Sequence, residues 1–134
     1  VRAMHRRVKG RTKERAGRHP PGTAYRADDP ELLLWVLFTL VDSALVVYRK
    51  YVGSLSRGEE AAYWEDYKVI GRLFGLTDRD LPQTIDDLGA YRHRMLEGDE
   101  LLVTDWARDR ARKIVLEPPG PGAGGPGAGE SPRA

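Results

Sequence analysis

The stretch LLLWVLFTLVDSALVVY, residues 32–48, decides the fold. Nearly every residue in it is apolar, yet Asp42 and Ser43 sit inside it. A bilayer span needs roughly 20 apolar residues, and this run falls short of that. An aspartate near a helix centre costs about 2.5–3.5 kcal/mol on insertion scales. Asp28, Asp29 and Glu31 crowd one end of the run, and Arg49 and Lys50 the other. The run therefore reads as the central helix of a protein core, with no transmembrane span.

The boundaries of this helix are written locally. Asp29 can cap it, and Pro30 suits the first helical position, where a missing N–H costs nothing. Glu31 favours the positive end of the helix dipole and Arg49 and Lys50 the negative end. The helix is expected to run to about Tyr51 and to stop at Gly53. Downstream, Ser56 with Glu59 forms a capping box for a third helix, and Gly75 ends it. Tyr63, Tyr67, Ile70 and Phe74 are its expected inward stripe, and Gly71 calls for a closely packed neighbour. Thr84 with Asp87 opens a fourth helix, in which Ile85, Leu88, Tyr91 and Met95 face inward. Thr104 caps a fifth, with Ala107, Ala111, Ile114 and Val115 facing inward and Pro118 and Pro119 terminating it. Upstream, Val1, Met4, His5 and Val8 share one helical stripe, which predicts a first helix to about Lys9. Residues 10–27 read as a long loop, and no segment reads as a strand.

The fold class expected is all-α: a bundle of about five helices around a long apolar central helix, followed by a disordered Gly/Pro-rich C-terminal tail. Residues 1–117 form the domain and 118–134 the tail, which lacks the apolar area to offset its ordering entropy.

Charge divides the chain. Residues 1–26 hold nine Lys/Arg against one acid, Glu14, while the whole chain is only +2. A basic arm on an acidic body can contact nucleic acid or an acidic surface, or lean on its own domain. The arm has no interleaved aromatics for base stacking, so no nucleic-acid partner is expected. Cysteine is absent, which excludes disulfides, thiolate metal sites and a cysteine nucleophile. His5, His19 and His93 have no i, i+3 or i, i+4 spacing among them, so no protein-built metal site is expected.

Two polar residues lie on apolar stripes. His5 shares a face with Met4 and Val8, as either a satisfied boundary histidine or a site residue. Asp42 has Phe38 and Leu45 among its neighbours one turn away. A carboxylate there must be paired, hydrogen-bonded or neutral. The bland partners are an arginine from another helix or the backbone of the first helix.

The pattern Arg2-x-x-His5-x-x-Val8-x-Gly10, then YRADDPELLLWV, TLVDS and VYRKYVGSLS, resembles the MpaB-like/rubber oxygenase catalytic domain. The likeness continues through YWEDYKVIGRLFGL, DLPQTIDDLGAYRHRML and LLVT, covering most of residues 1–117. It implies an all-α oxygenase domain, an oxidoreductase that uses haem b and dioxygen on an apolar, isoprenoid-like substrate. Members similar to this chain read Trp-Val-His-x-Thr-Leu-Val-Asp-Ser, with the histidine holding the haem iron. Here that position is Leu37, which has no lone pair to offer iron. The resemblance makes His5 and Asp42 the candidate catalytic residues. Arg2, His5 and Leu37, the last at the family histidine position, are the candidate cofactor contacts. It also matches only the C-terminal part of the domain, so an apolar face is expected to be covered by a homodimer or by a further N-terminal portion. Two functions follow: a cytoplasmic oxygenase, or a catalytically inactive relative that serves as a helical interaction module.

Overall fold

The computed structural model describes residues 2–15 and 17–116. The elements are α1 (Arg2–His5), β1 (Lys9–Arg11), β2 (Ala24–Arg26), α2 (Pro30–Tyr51), α3 (Arg57–Phe74), α4 (Ile85–Glu97) and α5 (Asp105–Leu116). The class is all-α, with one small hairpin among the described residues. Residues through Leu102 form one compact unit, and α5 belongs to another that starts at Val103. The expected tail, 118–134, lies outside the described residues.

The helix starts follow local hydrogen bonding. The Asp29 carboxylate accepts the Glu31 N–H at 2.9 Å, with Pro30 in the first turn. Both halves of the Ser56/Glu59 and Thr84/Asp87 capping boxes form. The Thr104 hydroxyl accepts the Ala107 N–H at 3.1 Å. Gly75, at φ +123°, closes α3 in a conformation that side chains resist.

The N-terminal expectation needs correction. The first helix ends at His5 rather than Lys9. Residues read as loop instead pair as antiparallel strands, Lys9 with Arg26, Gly10 with Tyr25 and Arg11 with Ala24. A chain entering a ladder at Lys9 cannot also continue a helix through it. Met4 and Val8, expected to face a core, are exposed. Gly10 is where the Tyr25 ring crosses the hairpin: a Cβ there would lie 2.7 Å from the Tyr25 hydroxyl.

Within the first unit, α2 buries Leu33, Leu34, Leu37, Phe38, Val41 and Leu45. These meet Trp64 of α3, Leu76 and Leu81 of the α3–α4 connection, and Leu88 and Tyr91 of α4. Leu37 lies against Gly71, and Arg49 pairs with Glu60, so α2 and α3 run antiparallel. Phe38 meets Tyr91 edge to face at 5.5 Å between ring centroids. By length and composition α2 could cross a bilayer, with a mean hydropathy of 1.9. Here one face of it is packed in the core and the other is open.

The inward face of α3 also differs from expectation. Trp64, Lys68 and Gly71 are the buried residues, and Tyr63, Tyr67, Ile70 and Phe74 flank the core, partly covered. The Trp64 indole N–H donates to the Pro82 carbonyl at 2.9 Å. The Lys68 ammonium donates to the Gln83 carbonyl at 2.5 Å and to Glu65 at 2.7 Å. These bonds satisfy polar atoms that would otherwise be costly to bury. In α5 no residue is buried, so its expected inward stripe of Ala107, Ala111, Ile114 and Val115 is not seen.

The close approach of α2 and α3 depends on Gly71. A Cβ there would lie 2.9 Å from Leu37 Cδ2 and 3.0 Å from Leu81 Cδ2. Gly71→Val adds three carbons to this filled space. It is expected to lower unfolding free energy by about 1–3 kcal/mol, the usual cost of overpacking. Urea denaturation followed by circular dichroism measures it.

Candidate functional site

A cavity of about 440 Å³ opens where α1 and β2 lie across the first turns of α2. Helical spacing supplies one wall: Leu32, Val36 and Leu40 recur every four residues along α2. Tyr25 comes from β2 and Phe74 from the last turn of α3. His5, from α1, is the one histidine on its wall. A neighbouring cavity of about 320 Å³ shares Tyr25, Leu32 and Trp35 and extends to His19 and Met95. Together they form an apolar trough over the start of α2.

His5 is the chemically distinctive group here. Its ring meets Phe74 edge-on at 6.2 Å between centroids. Its Nδ1 is shut from water and has no hydrogen-bond partner among the described residues. Buried polar atoms are almost always paired, so an unpaired imidazole nitrogen calls for a physical reason. A neutral imidazole presents one N–H and one lone pair, and a partner for the covered Nδ1 would have to displace the side chains over it.

On the other side of Phe74 and Leu33 is a polar recess lined by Arg6 and Asp28. Arg26 donates two hydrogen bonds of 2.9 Å to Asp28. That bonding holds the Asp28 carboxyl below the usual carboxylate range, so it stays an anion. The basic arm is tied elsewhere too, through Arg18 and Glu100 at 3.0 Å. These pairs match an arm leaning on its own acidic domain.

The candidate residues do not come together. Leu37 is fully buried against Gly71 and does not reach the cavity. The cavity wall on α2 is made by its sequence neighbours, which point about 100° per residue away around the axis. Asp42 lies on a further face, about 200° from Leu40. It meets Arg92 of α4, Nε to Oδ1 at 3.4 Å. Of the two partners the sequence leaves open, an arginine from another helix and the backbone of the first helix, it is the arginine. Arg2 opens α1, three positions before His5.

Alternative metal ligands are not assembled. Among the described residues no three of His, Asp and Glu cluster to hold a metal ion. Burial pushes the Tyr91 hydroxyl up to about 12, and burial followed by the bond to Tyr67 does the same for Tyr63. Neither therefore offers a tyrosinate to iron near neutral pH. Tyr25, Trp35 and Phe74 were not picked out as site residues from sequence. Tyr25 had a signal, an aromatic in the short alternation TAYRA opposite Gly10, but it carries weight only once the hairpin is known.

Residues 1–128 match the family model described as ER-bound oxygenase mpaB/B′/Rubber oxygenase, catalytic domain. No curated protein matches, and no solved structure matches.

The placements of Leu37 and Asp42 predict contrasting stability effects. Leu37→His puts a polar ring into the packed α2–α3 contact and is expected to cost about 1–3 kcal/mol. Asp42→Asn breaks a partly exposed ion pair and is expected to cost less than about 1 kcal/mol. Chemical denaturation of both variants beside the parent checks the ranking.

Proposed function

The chain belongs to the family of ER-bound oxygenase mpaB/B′ and rubber oxygenase catalytic domains, and on that premise we propose that it is a haem-dependent oxidoreductase whose trough takes an apolar, isoprenoid-like substrate. The observation that carries this reading is His5, the one histidine in the wall of an otherwise apolar cavity, whose Nδ1 is unpaired among the described residues. Histidine is the commonest proximal holder of haem iron, and His5 is the residue here that would hold it. When bound, haem b supplies the iron centre for dioxygen chemistry.

The chain's own residues do the rest. Tyr25, Trp35 and Phe74 offer ring faces and edges to a flat or unsaturated apolar group. Leu33, Val36 and Leu40 keep water from it. Arg6, in the adjoining recess, supplies positive charge for carboxylate groups at the rim. Arg2, three positions before His5 in the sequence, is a proposed cofactor contact on the family resemblance alone. Asp42 acts at a distance: its contact with Arg92 fixes α2 against α4 and so orients the cavity wall.

A second reading has its own observation. Leu37 stands where similar sequences carry histidine, and it is committed to the core. With no ligand from α2, the domain would be a catalytically inactive relative that works as a helical interaction module.

Haem reconstitution separates the two. The oxygenase reading predicts a stoichiometric Soret band that His5→Ala abolishes and that His19→Ala, in the neighbouring cavity, leaves in place. Protein that stays colourless after reconstitution would leave only the interaction module.

A further inference from the structure

The open face of α2 carries a pattern that the core does not use and that runs the length of the helix, well past the cavity. Leu32, Val36, Leu40 and Val47 are 44–53% exposed, although they belong to the most apolar helix in the chain. They fall on one line with Ser43, and the line begins at the cap Asp29 and ends at Lys50, both exposed. From Asp29 to Lys50 it takes six steps over 21 residues, an average of 3.5 residues per step. A 3.5-residue repeat is what keeps a seam facing a second helix along its length. At about 1.5 Å per residue, the seam on this 22-residue helix is about 33 Å long.

The line is also self-complementary when reversed. Antiparallel pairing about a two-fold axis between Thr39 and Leu40 sets Leu32 of one copy beside Val47 of the other. The same axis sets Val36 beside Ser43 and brings the two Leu40 side chains together at the centre. At each end Asp29 of one copy meets Lys50 of the other. Among the described residues neither of these two has an ion-pair partner within the chain; Asp29 accepts a backbone N–H, and Lys50 lies over the Tyr51 ring. Antiparallel packing further sets the positive end of one helix dipole against the negative end of the other.

We propose that this face is the interface of a homodimer built from two α2 helices packed antiparallel about Leu40. Such an interface is isologous: one patch meets itself, and each end-to-end charge contact occurs twice. A bilayer fits the face less well, because it would take Asp29, Ser43 and Lys50 out of water with nothing to pair them. Leu32, Val36 and Leu40 also line the His5 cavity, so the second copy roofs its open side. Periodicity and end charges, not the oxygenase reading, hold this dimer together.

The test is the mass of the full chain in solution, by sedimentation equilibrium over a concentration series. The expected mass is twice the 15.0 kDa of one chain. Leu40→Glu and Leu40→Lys, at a half-exposed position, are each expected to sediment as single chains with unchanged helical circular dichroism. An equimolar mixture of the two restores the doubled mass, because unlike charges then meet at the axis. A parent protein that stays at 15.0 kDa throughout the series overturns the proposal. So does a doubled mass that both charged variants retain. So would a single-chain parent that sediments with phosphatidylserine vesicles, which would assign the face to a lipid surface. The absence of a Soret band after haem reconstitution would count against the oxygenase reading and leave the mass result untouched.

Discussion

The contact between Leu37 and Gly71 sets the rotation of α2. With no side chain on Gly71, α3 comes close enough for Leu37 to be fully buried. Once Leu37 points at α3, helical geometry assigns every other residue of α2 to a face. Leu33, Leu34, Phe38, Val41 and Leu45 turn inward with it. Leu32, Val36 and Leu40 turn outward and become the cavity wall. Asp42 is carried round to Arg92 on α4. An α2 rotated by one residue would bury Asp42 or expose Phe38, and each costs far more than the surface pairs could return.

What could be read in advance was mostly what is local. Asp29–Pro30, Ser56 with Glu59 and Thr84 with Asp87 open their helices as the sequence implies, because each cap closes within three residues. The length of α2 follows from its apolar run and its end charges. The hairpin was hidden because its strands are three residues each and are brought together from 15 positions apart, Gly10 with Tyr25. Its inter-strand pairing, not any local propensity, makes those residues strands. The buried face of α3 was hidden for a related reason. A lysine at position 68 argues for a solvent face until the Gln83 carbonyl and Glu65 are seen to accept its hydrogen bonds.

The site was legible in part. His5 stood out as a polar residue on an apolar stripe, and the structure finds it in a cavity wall. The stripe itself does not form a core face: Met4 and Val8 are exposed, His5 is half covered, and Val1 lies outside the described residues. Its companions Tyr25 and Phe74 come from elements 20 and 69 positions away, beyond any periodic pattern. Asp42 was recognised as needing a partner. Which arginine answers it depends on how α4 packs, and that in turn depends on Phe38 meeting Tyr91.

Leucine at position 37 is more than a missing ligand. Its Cδ2 nearly fills the hollow above Gly71, and Leu81 Cδ2 fills the rest. A histidine in the same orientation would have to leave a ring nitrogen unpaired among hydrocarbon or pull α2 away from α3. Rotating α2 to free the ring would undo the burial of Val41 and Leu45, which lie one and two turns along the same face. The core is thus built around a hydrocarbon at this point, and on the proposed oxygenase reading a ligand for iron comes from outside the α2–α3 contact. Among the described residues of the cavity wall α1 alone brings an imidazole, so the two polar oddities of the sequence part company: Asp42 meets Arg92 of α4, and His5 lines the cavity.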